Sequence, residues 1–451
     1  MIRFVLSVLL TLAGTVSFAQ KDTLRVMGYN VLYYGSGCQG AGSLYHGYLK
    51  TIVSFTNPDI LSLEKMGAIK LTADDKYGTA PYGFADSVIL YALNAAFPGR
   101  YAHCPFTNAS RINNMSVVFY DQRKLGFVSI VSSYSNITDF NTYKLYYKDP
   151  NLERTRDTTF LYVIPNHDMS GDDFAAVRGI QIGEVINHTR EHFTHLPNMI
   201  NIGDFNVRSS EETFYQTLTQ PVDTNFRFYD PPFFPDRKLS YPAKWDHDAK
   251  YSAYFTTSTR ESASVPNPCG TGGGGKNWYD HIFLSQWIVN NANYIRYIPN
   301  SYRTIGNDGQ RLKVSINNKN AHVNMSAPED VIEALYQMSN KYPVMVDLEV
   351  TSNVNGISLQ EPEIAGKPIF YKETISVDPA VDGVMSIHLP ADVIGQLVTI
   401  ACIEDGDTKL KKTLMIKDRD VQIKCKLPIG EYTLKITGHH NVLFEEQVHV
   451  K

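Results

Sequence analysis

The chain has 451 residues, more than one ordinary domain uses and enough for two. Hydrophobic residues make up 43% and charged residues 20%, which excludes bulk disorder and permits a large core. A formal net charge of -4 argues against tight non-specific nucleic-acid binding, which calls for a basic excess.

Arg3, the apolar run Phe4 to Ala13 and then Ser17-Phe18-Ala19 read as an export signal, cleaved after Ala19. The run is too short to span a bilayer, and no other segment is apolar enough to cross one. The expected location is outside the cell or on its surface. Of the cysteines Cys38, Cys104, Cys269, Cys402 and Cys425, the odd count leaves at least one thiol unpaired. Export permits disulfides, but the spacing assigns no bridge and suggests no zinc site.

After the signal, Leu24 to Val31 is a β-run ending in polar residues. Tyr45 to Asn57 has helical spacing, and Pro58 turns the chain into the strand Ile60 to Leu63. Ser116 to Tyr120 and Phe160 to Pro165 are short apolar runs. Phe174 to His195 predicts a helix with Ile182, Val185, Ile186, Thr189 and Phe193 on one stripe. The strand Met199 to Ile202 runs into Gly203-Asp204-Phe205-Asn206, and Pro221 to Asn277 is loop-rich. Trp278 to Leu284 predicts a strand, Pro328 to Met338 a helix and Tyr342 to Val350 a strand. Alternating strands and helices predict a layered α/β domain over 20–351. Residues 352–368 read as a linker, and 369–451, with short alternating runs, as a small β-sandwich.

A carboxylate and an amide two residues apart at a strand end, as in Asp204 and Asn206, can hold a water and a phosphoryl oxygen. Gly-Asp-x-Asn alone is a common turn; order gives it weight. Tyr29-Asn30 comes first, then Pro58-Asp59-Ile60-Leu61-Ser62-Leu63 and Asn166-His167-Asp168-Met169-Ser170. Tyr279-Asp280-His281-Ile282-Phe283-Leu284-Ser285 and Ser339 to Leu348 follow. From Leu24 to Val350 this sequence resembles the endonuclease/exonuclease/phosphatase superfamily, which includes deoxyribonuclease-I-like nucleases and inositol-polyphosphate phosphatases. The resemblance implies a four-layered α/β sandwich, two central sheets flanked by helices. It also implies roles. Asn30 would sit beside metal and phosphate, and His167 would stabilise charge on the scissile phosphate. Asp204 would orient or deprotonate the attacking water, held by Asn206. Asp280 would orient a catalytic His.

Three positions depart from the pattern. Where the family has its metal-ligating Glu the chain has Lys65, with Glu64 one residue early and hence on the other strand face unless the strand bulges. The final motif, Ser-Asp-His-x-Pro-Val in the family, has Asn340 for the Asp and Lys341 for the His. Two remaining carboxylates, Asp204 and Asp280, with two added ammoniums make the set near neutral without a metal. Magnesium wants carboxylate oxygens, and an ammonium in its pocket repels it. No cofactor is therefore expected at the usual site; the alternative is Mg or Mn. Lys341, with an ordinary pKa of about 10.4, is a poor general base beside Asp280. Two readings stay open. Asn30, Lys65 and Lys341 bind phosphate, or Lys65–Asp204 and Lys341–Asp280 are ion pairs filling a dead site.

Other motifs weigh less. His188-Thr189-Arg190-Glu191-His192, continued by His195, matches a zinc-helix pattern. Gly270 to Asn277 nearly matches a nucleotide loop, but lacks the Ser/Thr for magnesium and precedes a strand; a flexible loop is the expectation. His281 is expected to be structural, and Trp245 to Asp248 could line the cleft. Leu427-Pro428-Ile429-Gly430-Glu431-Tyr432-Thr433-Leu434-Lys435-Ile436 and the closing Val448-His449-Val450-Lys451 resemble the sorting domain of the Bacteroidetes type IX secretion system. That implies secretion machinery as a partner; the bland reading is an accessory sandwich. The whole reads as a secreted protein with a degraded metal site, catalytically impaired and at most binding a phosphorylated ligand. The alternative is an active metal-dependent phosphodiesterase or nuclease cleaving phosphoester bonds.

Overall fold

Strand β1 (Lys21–Tyr34) turns Leu24 and Val26 to one side and Met27, Tyr29 and Val31 to the other, and all five are buried. A strand buried on both faces belongs inside a layered fold. The computed structural model, which describes residues 20–36, 42–68, 82–234, 244–359 and most of 376–450, has that form. In chain order β2 (Ile60–Gly67), β3 (Tyr101–His103), β4 (Asn114–Asp121), β5 (Leu125–Asn136), β6 (Thr138–Tyr147), β7 (Phe160–His167) and β8 (Met199–Asp204) follow. Then come β9 (Phe228–Tyr229), β10 (Asp280–Ser285), β11 (Ile295–Tyr297), β12 (Arg303–Thr304) and β13 (Val344–Thr351). One sheet has the order β11-β13-β1-β2-β4-β3, with β12 on β13, and the other β5-β6-β7-β8-β10-β9.

The layers follow from which face each apolar set occupies. Met27, Tyr29, Leu61 and Leu63 pack outward against Leu49, Ile52 and Val53 of helix Gly42–Thr56 and Leu335 and Met338 of helix Glu329–Met338. Ile182, Val185 and Ile186 of helix Ala175–His192 join the core of the second sheet. Leu24, Val26 and Ile60 point inward and share that core with Ile200 and Ile202 of β8. Helix, sheet, sheet, helix is the α/β four-layered sandwich expected. The sheets meet closely at Gly28, where an added Cβ would stand 2.8 Å from Ile202 Cγ1.

Two features go beyond the expected elements. In the hairpin β5–β6, half-buried Ser in β5 and buried Thr138, Asn141 and Thr142 in β6 interrupt the apolar set, which is regular only over Tyr143, Leu145 and Tyr147. Helical turns also run from Tyr82 to Ala96. The stretch from Pro221 to Asn277 is loop-rich as expected, with β9 and short 3-10 turns among the described residues.

The C-terminal region is all β: β14 (Ser376–Val381), β15 (Val384–His388), β16 (Leu397–Glu404), β17 (Asp407–Met415), β18 (Asp420–Lys424), β19 (Gly430–Thr437) and β20 (Val442–Val450). Sheets β14-β15-β18 and β17-β16-β19-β20 enclose Met385, Ile387, Val398, Ile400, Leu434 and Ile436. The export signal and residues 360–368 of the linker lie outside the described residues. Its first part, 352–359, is tied to the large domain. Ser352 N donates to Gln20 O, Asn353 Nδ2 to Asp157, Arg154 to Val354 O, Ser358 Oγ to Asp157 and Leu359 N to Asn293 Oδ1. No described helix is long and apolar enough to cross a membrane.

A buried ionic knot fastens the turn before β2. Arg100 donates to Asp59 at 2.8 Å and to Asp121 at 2.7 Å, with all three side chains at most 5% exposed. Removing the guanidinium strands two carboxylates in the core. Arg100→Met is expected to destabilise by about 3 to 5 kcal/mol, toward the lower figure because Arg123 and Lys124 still reach the acids. Urea unfolding beside Lys21→Ala, at the surface, measures it; equal losses would contradict the knot.

Candidate functional site

Strand direction gathers the polar landmarks at one edge between the sheets. β1 runs parallel to β2, and β7 parallel to β8, so their C-terminal ends carry Asn30, Glu64, His167 and Asp204 to the same edge. β10 is antiparallel to β8 and opens with Asp280 paired to Asp204. Ser339 to Lys341 precede β13, where Ser339 Oγ donates to Asn30 O at 2.7 Å. Inward alternation along β1 (Leu24, Val26, Gly28) makes Asn30 the next inward residue, and its Nδ2 donates to Asp204 Oδ2 at 2.7 Å.

The ladder is irregular here on both strands. Against β2, β1 carries extra residues, since Asn30 pairs with Glu64 but Tyr34 with Met66; against β4, β2 bulges, since Leu63 pairs with Val117 but Met66 with Met115. Lys65 sits in the left-handed region at φ 59, and Leu32 and Tyr33 of β1 at φ 50 and 62. Glu64 lies before the irregularity and keeps the inward face of Ile60 and Ser62; Ser62 donates to its Oε1, and its carboxyl lies within electrostatic reach of Asp204 and Asp280. Lys65 is swung round. It feels Asp204 and Lys341, and its ammonium stands 4.3 Å from the centre of the Tyr33 ring. Against the expectation that Glu64 faces away, plain alternation (Ile60, Ser62, Glu64) turns it into the cleft, and the irregularity beyond it brings Lys65 round beside it.

Lys341 dominates the floor. Its Nζ is 2.8 Å from Asp204 Oδ2 and 3.5 Å from Asp280 Oδ2, and 4.5 Å from the centre of the Tyr279 ring. One ammonium bridges both acids, rather than each lysine taking one; no ion pair joins Lys65 to Asp204 among the described residues. Burial pulls the pKa of Lys341 down, but the two carboxylates outweigh it and the net shift is upward. Asp204, penalised by burial, is held below its ordinary value by Lys341 and His167. Asp280, desolvated and beside Asp204, is pushed up to about 8. Glu64 is raised well above the ordinary range by burial. Burial, with Lys341 adding to it, brings Lys65 down to about 8, and desolvation takes His167 to about 4. These shifts favour a charge on Asp204 and Lys341, a neutral imidazole on His167 and protons on Asp280 and Glu64.

The remaining residues complete the wall. Asn206, at φ 51, donates its amide to Asp168 O at 2.9 Å. His167 Nδ1 lies 3.0 Å from Asn114 Oδ1. Asn340 donates to Thr271 Oγ1 at 2.9 Å, facing the loop rather than the acids. The buried Lys341 ammonium occupies the space between Asp204 and Asp280.

The other motifs are elsewhere. His188 packs on Tyr134 and His195 on Trp287, so the zinc-like helix does not converge on one point. Gly273, Gly274 and Gly275 donate their backbone N–H groups to Glu261, Arg260 and Arg311 carbonyls. That stretch is bonded into its neighbours, not left as the flexible loop expected. His281 is fully buried against Trp278 and Phe283, with Nδ1 3.0 Å from Asp230. Trp245 is core, while Asp246 pairs with Arg208, whose guanidinium stacks on Tyr279. Cys269 is disulfide-bonded, and Cys104, Cys402 and Cys425 are buried free thiols. Tyr279 and Glu64 are site residues beyond the expected set; the Asn30–Glu64 pairing is the signal that finds the second.

Truncated Caenorhabditis elegans TDP2 is similar at 13% identity and a TM-score of 0.41, covering 73% of this chain and 98% of that one. The human Nocturnin catalytic domain, with bound sulfate, is similar at 14% and 0.40, over 73% and 96%. An endonuclease/exonuclease/phosphatase family protein from Bacteroides thetaiotaomicron is similar at 13% and 0.39, over 74% and 100%. No protein-family model and no curated protein matches the chain.

The protonation pattern has a measurable consequence. Asp280 holds its proton up to about pH 8, whereas unfolded it lets go near 3.9. Between those values the folded state binds the extra proton, so stability falls as pH rises, and Glu64 adds to that. His167 acts oppositely, but only from about 4 to its ordinary value of about 6.5. Lys65 raises stability only above about pH 8. Denaturant unfolding at stepped pH is expected to show stability declining from about pH 6.5 to 8, and Asp280→Asn to flatten the decline. A wild-type curve that rises across that window contradicts the protonated carboxyls.

Proposed function

We propose that this chain is an exported phosphoesterase-fold protein whose metal-dependent catalysis is impaired and whose cleft binds a phosphate-bearing ligand. One observation carries the reading: the Lys341 ammonium lies 2.8 Å and 3.5 Å from the acids that a divalent cation would need free. Asp204 is then locked in an ion pair and cannot take a proton from water. A lysine retained as a point charge can still hold phosphate. Asn30, Lys65, Lys341 and the neutral His167 supply charge and hydrogen bonds to an anion, with Asn206 at the rim. The sorting-type module at the C-terminus supports delivery by secretion machinery to the outside or the cell surface. Deleting 369–451 is expected to keep the chain inside the source cell envelope.

A second reading is favoured by the inward face of Glu64. Three carboxyls, Glu64, Asp204 and Asp280, still face the cleft, so an active Mg- or Mn-dependent phosphodiesterase or nuclease would need only Lys341 to swing aside. Assays on a generic phosphodiester and on DNA with magnesium or manganese, beside Asp204→Ala, separate the two. No turnover above that variant is expected, and calorimetry is expected to show no magnesium heat. Lys341→Met, which vacates the seat, is expected to gain a saturable manganese heat. Metal-dependent turnover lost in Asp204→Ala would establish the second reading.

Anion binding should depend on pH with a defined sign. Above about 8 Asp280 gains a negative charge and Lys65 loses a positive one. Inorganic phosphate affinity is expected to drop at least about tenfold (about 1.4 kcal/mol) from pH 7 to pH 9, and Lys65→Met to reduce both the affinity and the drop. Titration calorimetry reads it.

A further inference from the structure

We infer that the ligand of this cleft carries two phosphate groups in a row, with Lys341 on the floor taking the first and Arg208 at the rim taking the second. The inference rests on the phosphate-binding reading above and narrows it to diphosphates.

One aromatic ring measures the spacing. Lys341 Nζ stands 4.5 Å from the centre of the Tyr279 ring, and Arg208 Cζ stands 5.4 Å from the same point. The two cations are therefore separated by no more than those two lengths laid end to end. Two linked phosphoryl groups, each accepting a hydrogen bond from one cation, cover that span. Lys341 and Tyr279 are buried, whereas the Arg208 side chain is partly open. Ring and cations thus lead from the floor of the cleft toward its mouth.

Arg208 is held still at its base and weakly at its tip. Its backbone N donates to Glu212 Oε1 at 2.9 Å, and its backbone O accepts from Trp245 N at 3.4 Å. At the guanidinium, Nε is buried with no hydrogen-bond partner, so one donor is unspent. The Nη atoms meet Asp172 and Asp246. Asp172 is 72% exposed, and Asp246 lies 3.5 Å away, long for a charge-assisted bond. Exposed pairs of this kind are weak. The Asp172 carboxylate marks where an anion sits on the fork. A phosphate, with more charge and a third oxygen, is the stronger guest there.

Titration calorimetry of the full-length chain, in buffer freed of metal, compares pyrophosphate with orthophosphate. Wild type is expected to bind pyrophosphate at least about tenfold more tightly, the worth of one hydrogen bond to a charged group. Arg208→Met is expected to bring that ratio near one. Arg208→Lys, which keeps the charge and loses the planar fork, is expected to keep only part of it. Asp172→Asn frees the fork from an exposed position and is expected to raise the ratio, which keeps the test open if Arg208→Met misfolds. Orthophosphate bound as tightly as pyrophosphate by wild type overturns the diphosphate inference alone. Neither anion binding overturns the phosphate reading and this one with it. A ratio unchanged in Arg208→Met beside a lower melting temperature makes Arg208 a clasp between loops and overturns its role, as does a ratio that Asp172→Asn fails to raise.

Discussion

The ammonium of Lys341, set between Asp204 and Asp280, is the contact on which the cleft depends. It ties the segment leading into β13 of one sheet to β8 and β10 of the other. At 2.8 Å and an effective dielectric near 20 the attraction to one acid is about 6 kcal/mol. Desolvating each ion costs several kcal/mol in return. The pair is therefore close to break-even in stability. Its effect lies in placement: a positive charge built into the chain stands where the two acids converge.

That internal charge also sorts the neighbouring protons. Asp204 takes the ammonium at short range and is held low, while burial, with Asp204 beside them, raises Asp280 and Glu64. The bulge in β2 matters because it adds a second ammonium, Lys65, to a space where plain alternation already places the third carboxyl, Glu64. Acid, base and cation are thus set by where three short backbone segments bend, not by residue types alone.

Much of the fold could be read directly. Inward and outward apolar sets on β1, and the stripe on Ala175–His192, state the layers in the sequence. The order of Asn30, His167, Asp204 and Asp280 announces the edge where they meet. What could not be read was tertiary. Lys65 has no intrinsic preference for a left-handed backbone, so nothing in its type signals the bulge. A single lysine serving two acids is invisible until β8 and β10 are paired in register. The hairpin β5–β6 escaped because its hydroxyl-rich face mimics a loop.

The strap after β13 gives the large domain an unusual mechanical property. Gln20 and Ser352 bond to each other at the same end of the antiparallel pair β1–β13, beginning with Lys21 opposite Thr351. A force drawing the two chain ends apart would load those rungs one at a time, like a zipper, instead of shearing the whole ladder together. Tethering by the C-terminal module alone leaves that zipper unloaded, whereas gripping both ends would open the central sheet from its edge inward.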